Sequence, residues 1–155
     1  METINTLALT QVAEIELIYK SKVKASERPK VTTSRDAYQL FKQNWDENKI
    51  EFIEQFKVMF LNRANKVLAI FEMSSGGVTG TIADPKLVFM AALKLNASNI
   101  ILCHNHPSGS LKPSRADEEL TLKIKEAAKY FDIKVLDHMI VSDAGYFSFA
   151  DEGLL

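Results

Sequence analysis

Residues 99–117 read NIILCHNHPSGSLKPSRAD, and this stretch limits the fold more than any other. Asn99–Cys103 is a short apolar run, the pattern of a buried strand. It runs directly into His104 and His106. A loop carrying Pro107, Gly109 and Pro113 follows. From Ser114 the residues Leu120, Ile124, Ala127 and Phe131 form one stripe at helical spacing. A strand handed through a short loop to an amphipathic helix demands a sheet with that helix packed on it.

The rest of the chain fits the same frame. Ala13 to Val23 alternates, with Ile15, Leu17 and Tyr19 on one side, and predicts a half-buried strand. ASERPKVTT reads as a loop. Ser34 is expected to cap a helix carrying Ala37, Leu40, Phe41 and Trp45 on one face. From Glu54, Phe56, Val58 and Phe60 alternate with Lys57 and Met59. Asn62 to Lys66 predicts a turn, and Val67 to Phe71 the return strand of a hairpin. SSGGVTGT lacks the G-x-x-x-x-G-K-[ST] pattern of a phosphate loop and reads as a loop entering a short strand. Asp84 and Pro85 start a helix as cap and first residue. Its Leu87 to Leu95 residues are apolar nearly all round, so it is expected to be buried. Ile133 to Val141 and Tyr146 to Phe149 complete the sheet. Strands and helices mix without strict alternation, which predicts an α/β (mixed) fold, a central mixed sheet with flanking helices.

Composition narrows the function. The 155 residues suit one domain with a real core. The formal net charge of −1 speaks against a broad nucleic-acid footprint. A single cysteine excludes a disulfide framework within the chain and fits a reducing, cytoplasmic setting. The first residues show no signal-peptide pattern, and no apolar run approaches membrane-spanning length.

Two of the three histidines stand one residue apart at a strand end. Strand side chains repeat with period two, so both imidazoles point to one side and can grip one metal ion. Solvated loop histidines are the plainer reading of that pair alone. Ser114-x-x-Asp117 before an apolar stripe has a plain reading too, the capping box. The two readings compete for Asp117, since a carboxylate turned toward a metal is not expected to fold back onto the cap. The Ser114 hydroxyl can cap and still donate. If the loop folds back, two nitrogens and one oxygen surround a point. Three protein ligands with an open position are the layout of a catalytic zinc site. Strand alternation sends Cys103 to the opposite side, as a small buried residue. His138, in KVLDHMIV, reads as a satisfied sheet position, and Asp137 and His138 are candidates for orienting a ligand from behind.

His104-x-His106, seven residues, Ser114, two residues and Asp117 resemble the JAMM motif of the MPN/JAB metalloprotease superfamily residue for residue. HNHPSG followed by KPS, then LDHMIV and YFSF, resemble its RadC-like branch. The similarity runs from about the first helix to the C-terminus. It implies an MPN/JAB-type fold over residues 34–155, after an N-terminal strand and loop extension over 1–33. It also implies a zinc ion (Zn2+) held by His104, His106 and Asp117, and an upstream glutamate facing the metal. By position that is Glu54, with Glu51 and Glu72 as competitors. Full-length RadC-like proteins carry an N-terminal module resembling a helix-hairpin-helix, where residues 1–33 here read as strand and loop.

The expected activity is hydrolysis of a peptide or isopeptide bond in a peptide or protein substrate. Glu54 would serve as general base and then acid, and Ser114 as donor to the oxyanion. A nucleobase deaminase would need H-x-E and P-C-x-x-C, and a thermolysin-type protease H-E-x-x-H; neither is present. A DNA-repair-associated protein acting on nucleic acid and a non-catalytic MPN scaffold are the alternatives. Substrate and oligomeric state are not specified by these motifs.

Overall fold

The computed structural model describes residues 12–13, 15–76 and 83–155. Its core is a five-stranded sheet in the order β2-β1-β3-β4-β5. The strands are β1 (Gln55–Leu61), β2 (Val67–Ser75), β3 (Asn99–Asn105), β4 (Lys134–Val141) and β5 (Tyr146–Ser148). Three helices pack on it: α1 (Ser34–Gln43), α2 (Pro85–Lys94) and α3 (Arg115–Lys129). β1 is antiparallel to both β2 and β3, β3 and β4 are parallel, and β5 returns antiparallel to β4. The sheet is therefore mixed, as expected.

Side-chain alternation divides the core into two layers. Phe56, Val58, Phe60, Ile100 and Leu102 face α2 and α3, against Val88, Phe89, Ala92, Ile124 and Ala128. Met59, Leu61, Ile101, Cys103 and Met139 face α1, against Ala37, Phe41 and Trp45. β1 and β3 are buried over their whole length because helices cover both faces. Cys103 lies in the α1 layer, away from His104, as alternation required.

Four local expectations are corrected. The described part of 13–23 is not a strand. Ile15 is 88% and Leu17 80% exposed, so the alternating side chains find no layer to enter. Alternation yields a strand only where a neighbour completes the ladder. Here the segment meets β2 through the Tyr19 hydroxyl, which donates to the Leu68 carbonyl at 3.1 Å. Second, the cap of α1 is Thr33 rather than Ser34, because Asp36 then stands at the third helical position and closes the box. Third, α2 is not fully buried: Val88, Phe89 and Ala92 face the sheet while Met90 and Leu93 are more than half exposed. Fourth, Phe131 lies past the end of α3 and is partly exposed. The rest of the expected stripe holds: Ile124 is fully buried, Leu120 and Ala127 pack partly buried against the core, and Thr121 and Ala128 are buried beside them. The short strand expected after the Gly-rich loop falls on residues 77–82, outside the described residues. Among the described residues no helix is long and apolar enough to cross a membrane.

Candidate metal centre

The site forms where β3 ends and α3 begins, at the carboxyl end of the parallel pair β3–β4. Pro107 and Ser108 occupy the corner of a tight turn in which the Gly109 amide donates to the His106 carbonyl at 2.9 Å. Gly109 has φ +80°, a conformation that glycine adopts without steric cost. The turn sends the chain back, and α3 begins beside the two imidazoles.

His104, His106 and Asp117 are brought together: one ligand atom from each lies within 4.8 Å of the other two. The His104 and His106 Nε2 atoms are 3.0 Å apart. Asp117 Oδ1 is 3.2 Å from His104 Nε2, and Oδ2 is 3.6 Å from His106 Nε2. His104 is buried, while His106 and Asp117 keep part of their surface in solvent, so the cluster has a closed back and an open front.

Asp117 resolves the competition over its carboxylate by doing both jobs. Its Oδ2 accepts from the Ser114 amide at 2.7 Å, and its amide donates to Ser114 Oγ at 3.1 Å, completing the capping box. Its Oδ1 is left to face His104. A carboxylate has two oxygens and about four lone-pair sites, so capping and facing a cation are compatible. The expected conflict is therefore corrected. Burial works to raise the Asp117 carboxyl, but the hydrogen bonds to His104 and His106, the His104 charge and the Ser114 amide outweigh it. The group is held well below the usual carboxylate range. The bond to Asp117 pushes the His106 imidazole up, against burial, with help from the Ser110 carbonyl and the nearby Glu54 charge.

His106 Nδ1 lies 2.8 Å from the Ser110 carbonyl. A carbonyl only accepts, so Nδ1 carries the hydrogen and the neutral ring offers its Nε2 lone pair to the cluster. The donor set is thus two imidazole nitrogens and a carboxylate oxygen. That chemistry suits a metal ion.

Glu54 immediately precedes β1 and is half-buried. It stands two residues before Phe56, which pairs with His104, so alternation puts it on the histidine side of the sheet. Glu72 pairs with Lys57, which pairs with Cys103, so Glu72 belongs to the α1 side. Its carboxylate accepts from Gln55 Nε2 at 3.0 Å. Glu51 is exposed in the turn before Glu54.

The two residues expected behind the ligands separate. His138 is fully buried, with its Nε2 2.8 Å from His104 Nδ1. Asp137 is turned to the other face. Its carboxylate accepts from the His138 amide, the Ser148 hydroxyl and the Ala150 amide, tying β4 to β5 and the chain after it. A one-residue step along a strand reverses the face, which is why one neighbour reaches a ligand and the other does not.

Two residues at this site had not been anticipated. Thr121 Oγ1 is 2.5 Å from His138 Nδ1; its spacing of four from Asp117 was the available signal. Asn105, between the histidines, points to the opposite side. Its Oδ1 accepts from the Gln55 amide at 2.7 Å, and its Nδ2 donates to the Ile50 and Ile53 carbonyls. The segment bearing Glu54 is thereby fastened to the strand bearing the imidazoles.

The family model for the RadC-like JAB domain matches residues 31–154. The chain belongs to the RadC-like JAB domain family. The five-stranded mixed sheet with three helices is consistent with the JAB/MPN fold. A UPF0758 protein of Flavobacterium johnsoniae is 46% identical over 125 residues, covering 81% of this chain and 53% of the relative. One from Porphyromonas gingivalis is 39% identical over 152 residues, covering 96% of this chain and 65% of the relative. One from Nitrosococcus oceani is 48% identical over 102 residues, covering 66% and 46%. The chain spans roughly half to two thirds of the length of these curated relatives.

Proposed function

We propose that this RadC-like JAB domain is a zinc-dependent hydrolase of amide bonds, acting on a peptide or protein. The observation that carries this reading is the convergence of His104, His106 and Asp117 at the strand end, with their ligand atoms within 4.8 Å of one another. Two imidazoles and a carboxylate with an open fourth position are the donor set of a catalytic zinc. When bound there, zinc supplies Lewis acidity, which polarises an amide carbonyl and makes water acidic enough to ionise near neutral pH.

The chain's own groups supply the rest. Glu54, on the histidine side, takes a proton from water and passes it to the leaving amine, as base and then acid. The Ser114 oxygen accepts from the Asp117 amide in the cap, which leaves its hydroxyl hydrogen to be donated to the developing oxyanion. The near-neutral chain favours a peptide over a polyanionic substrate.

Protein purified without a tag or chelator should contain about one zinc per chain by elemental analysis, with ligand distances near ~2.0–2.2 Å once a holo structure is determined. A zinc-loaded sample should then be screened against peptide, isopeptide-linked and DNA substrates. Protein that neither contains nor binds zinc removes the enzyme reading. DNA cleavage, with binding that weakens steeply in salt, would replace peptide by nucleic acid as the substrate.

A further inference from the structure

A chain of hydrogen bonds behind the metal centre runs from the Asp117 carbonyl to the His104 ring. The Asp117 carbonyl can only accept. Thr121 Oγ1 lies 2.6 Å from it, so the single hydroxyl hydrogen of Thr121 is committed there. Thr121 Oγ1 also lies 2.5 Å from His138 Nδ1. With its hydrogen already used, the oxygen accepts, and His138 Nδ1 carries the proton. The His138 ring is fully buried, stacked on Phe149 at 4.8 Å and edge-on to Phe56 at 5.7 Å. An apolar sandwich of this kind holds the neutral ring, which has one hydrogen. His138 Nε2 is then a lone pair, and at 2.8 Å it accepts from His104 Nδ1. His104 Nε2 is then left to face Asp117 Oδ1 at 3.2 Å and His106 Nε2 at 3.0 Å, three acceptor atoms that only a shared cation or proton brings together.

We propose that Thr121 and His138 are positioning residues that hold the hydrogen of His104 on Nδ1 and so keep its Nε2 available to a metal ion. The inference rests on the metal-site reading above and adds what sets the ligand's state. Metal-bound histidines usually donate their second N–H to a carboxylate, a carbonyl or water. Here the acceptor is another imidazole, which could equally donate. The direction is decided two bonds away, by a threonine whose only hydrogen is held by a helix carbonyl. Because that carbonyl belongs to Asp117, the first turn of α3 orders both ligands at once. Reversing any link would put a hydrogen on His104 Nε2 and block it as a ligand.

Long-range proton–nitrogen correlation on histidine-labelled, metal-free full chain, in mildly alkaline buffer, reads the tautomers directly. His104 and His138 should both appear with the hydrogen on Nδ1. Zinc affinity, read by competition with a chromogenic chelator, should fall about 10–100-fold in Thr121→Val, which keeps shape and removes the hydroxyl. Thr121→Ser should restore it. A wild-type His104 with its hydrogen on Nε2 overturns the proposal, as does a folded Thr121→Val that binds zinc like wild type. Wild-type protein that binds no zinc would instead sink the metal reading, and the tautomers would still decide this one.

Discussion

At the scale of the residue, the clearest division of labour is within the tripeptide His104-Asn105-His106. Both imidazoles face the cluster, and the amide between them, fully buried, makes three hydrogen bonds to backbone groups of 50–55. Asn105→Ala should leave these groups unpaired, at about 1–3 kcal/mol for a buried group. Denaturant titration should show that loss. Zinc affinity should hold while kcat falls, because the Glu54 segment loosens and the ligands do not. Glu54→Gln keeps shape and removes the base: zinc should stay bound and turnover should stop. Full activity in that variant would pass the role to another group. Ser114 separates capping from chemistry. Ser114→Ala should cost about 1 kcal/mol of stability and lower kcat by roughly 10²-fold or more. Ser114→Asp should recover the cap but not the rate, since an ionised carboxylate cannot donate and adds charge beside the oxyanion. Wild-type kcat in Ser114→Asp would reduce this residue to a helix cap.

At the scale of the element, α1 and α3 begin with the same device and put it to different uses. Thr33-x-x-Asp36 and Ser114-x-x-Asp117 are both closed capping boxes. Asp36 spends one oxygen on three donors, the Thr32 amide and hydroxyl and the Thr33 amide. Asp117 divides its two oxygens between cap and histidines. The bonds from Thr32 and Thr33 lower the Asp36 pKa from 3.8 to about 2. A carboxyl whose folded pKa is depressed stabilises the fold above its unfolded pKa and loses that contribution as pH falls through the folded one. The α1 cap should therefore weaken as pH drops from about 4 toward 2. Asp36→Asn, compared with wild type by thermal unfolding across that window, should remove this part of the pH dependence; an unchanged slope would show that Asp36 contributes nothing to it. The α3 box was legible in spacing, whereas for α1 the sequence reading gave only a cap, at Ser34, one residue past Thr33. What spacing could not show is which box serves a site, because the histidines that distinguish them arrive on a neighbouring strand. The 13–23 segment taught the converse: good alternation without a partner strand left Ile15 and Leu17 in water.

At the scale of the whole molecule, the sheet separates a supporting layer from a working one. Phe41 of α1 is fully buried, on the face of the sheet opposite His104. Phe41→Ala should cost about 3–5 kcal/mol in denaturant titration and leave the zinc affinity of the folded fraction unchanged. A parallel loss of affinity would mean that the two layers are coupled. Zinc at a hundredfold excess over its dissociation constant should stabilise the fold by about 2.7 kcal/mol, and a chelator should reverse this. Periodicity and punctuation along the chain were enough for the β1–β2 hairpin, the Pro85 start of α2, buried β3, the β4 strand, and the approach of His104, His106 and Asp117, a trio whose spacing is local to one strand–loop–helix. Tertiary structure alone decided which side each neighbour of that trio serves. His138 reaches His104 and Asp137 does not, Glu54 shares the histidine side and Glu72 does not, and Thr121 bonds a residue seventeen positions away. These outcomes depend on register between strands and on what a buried donor finds to accept it. Both are properties of neighbours in space, and a pattern read along one chain does not contain them.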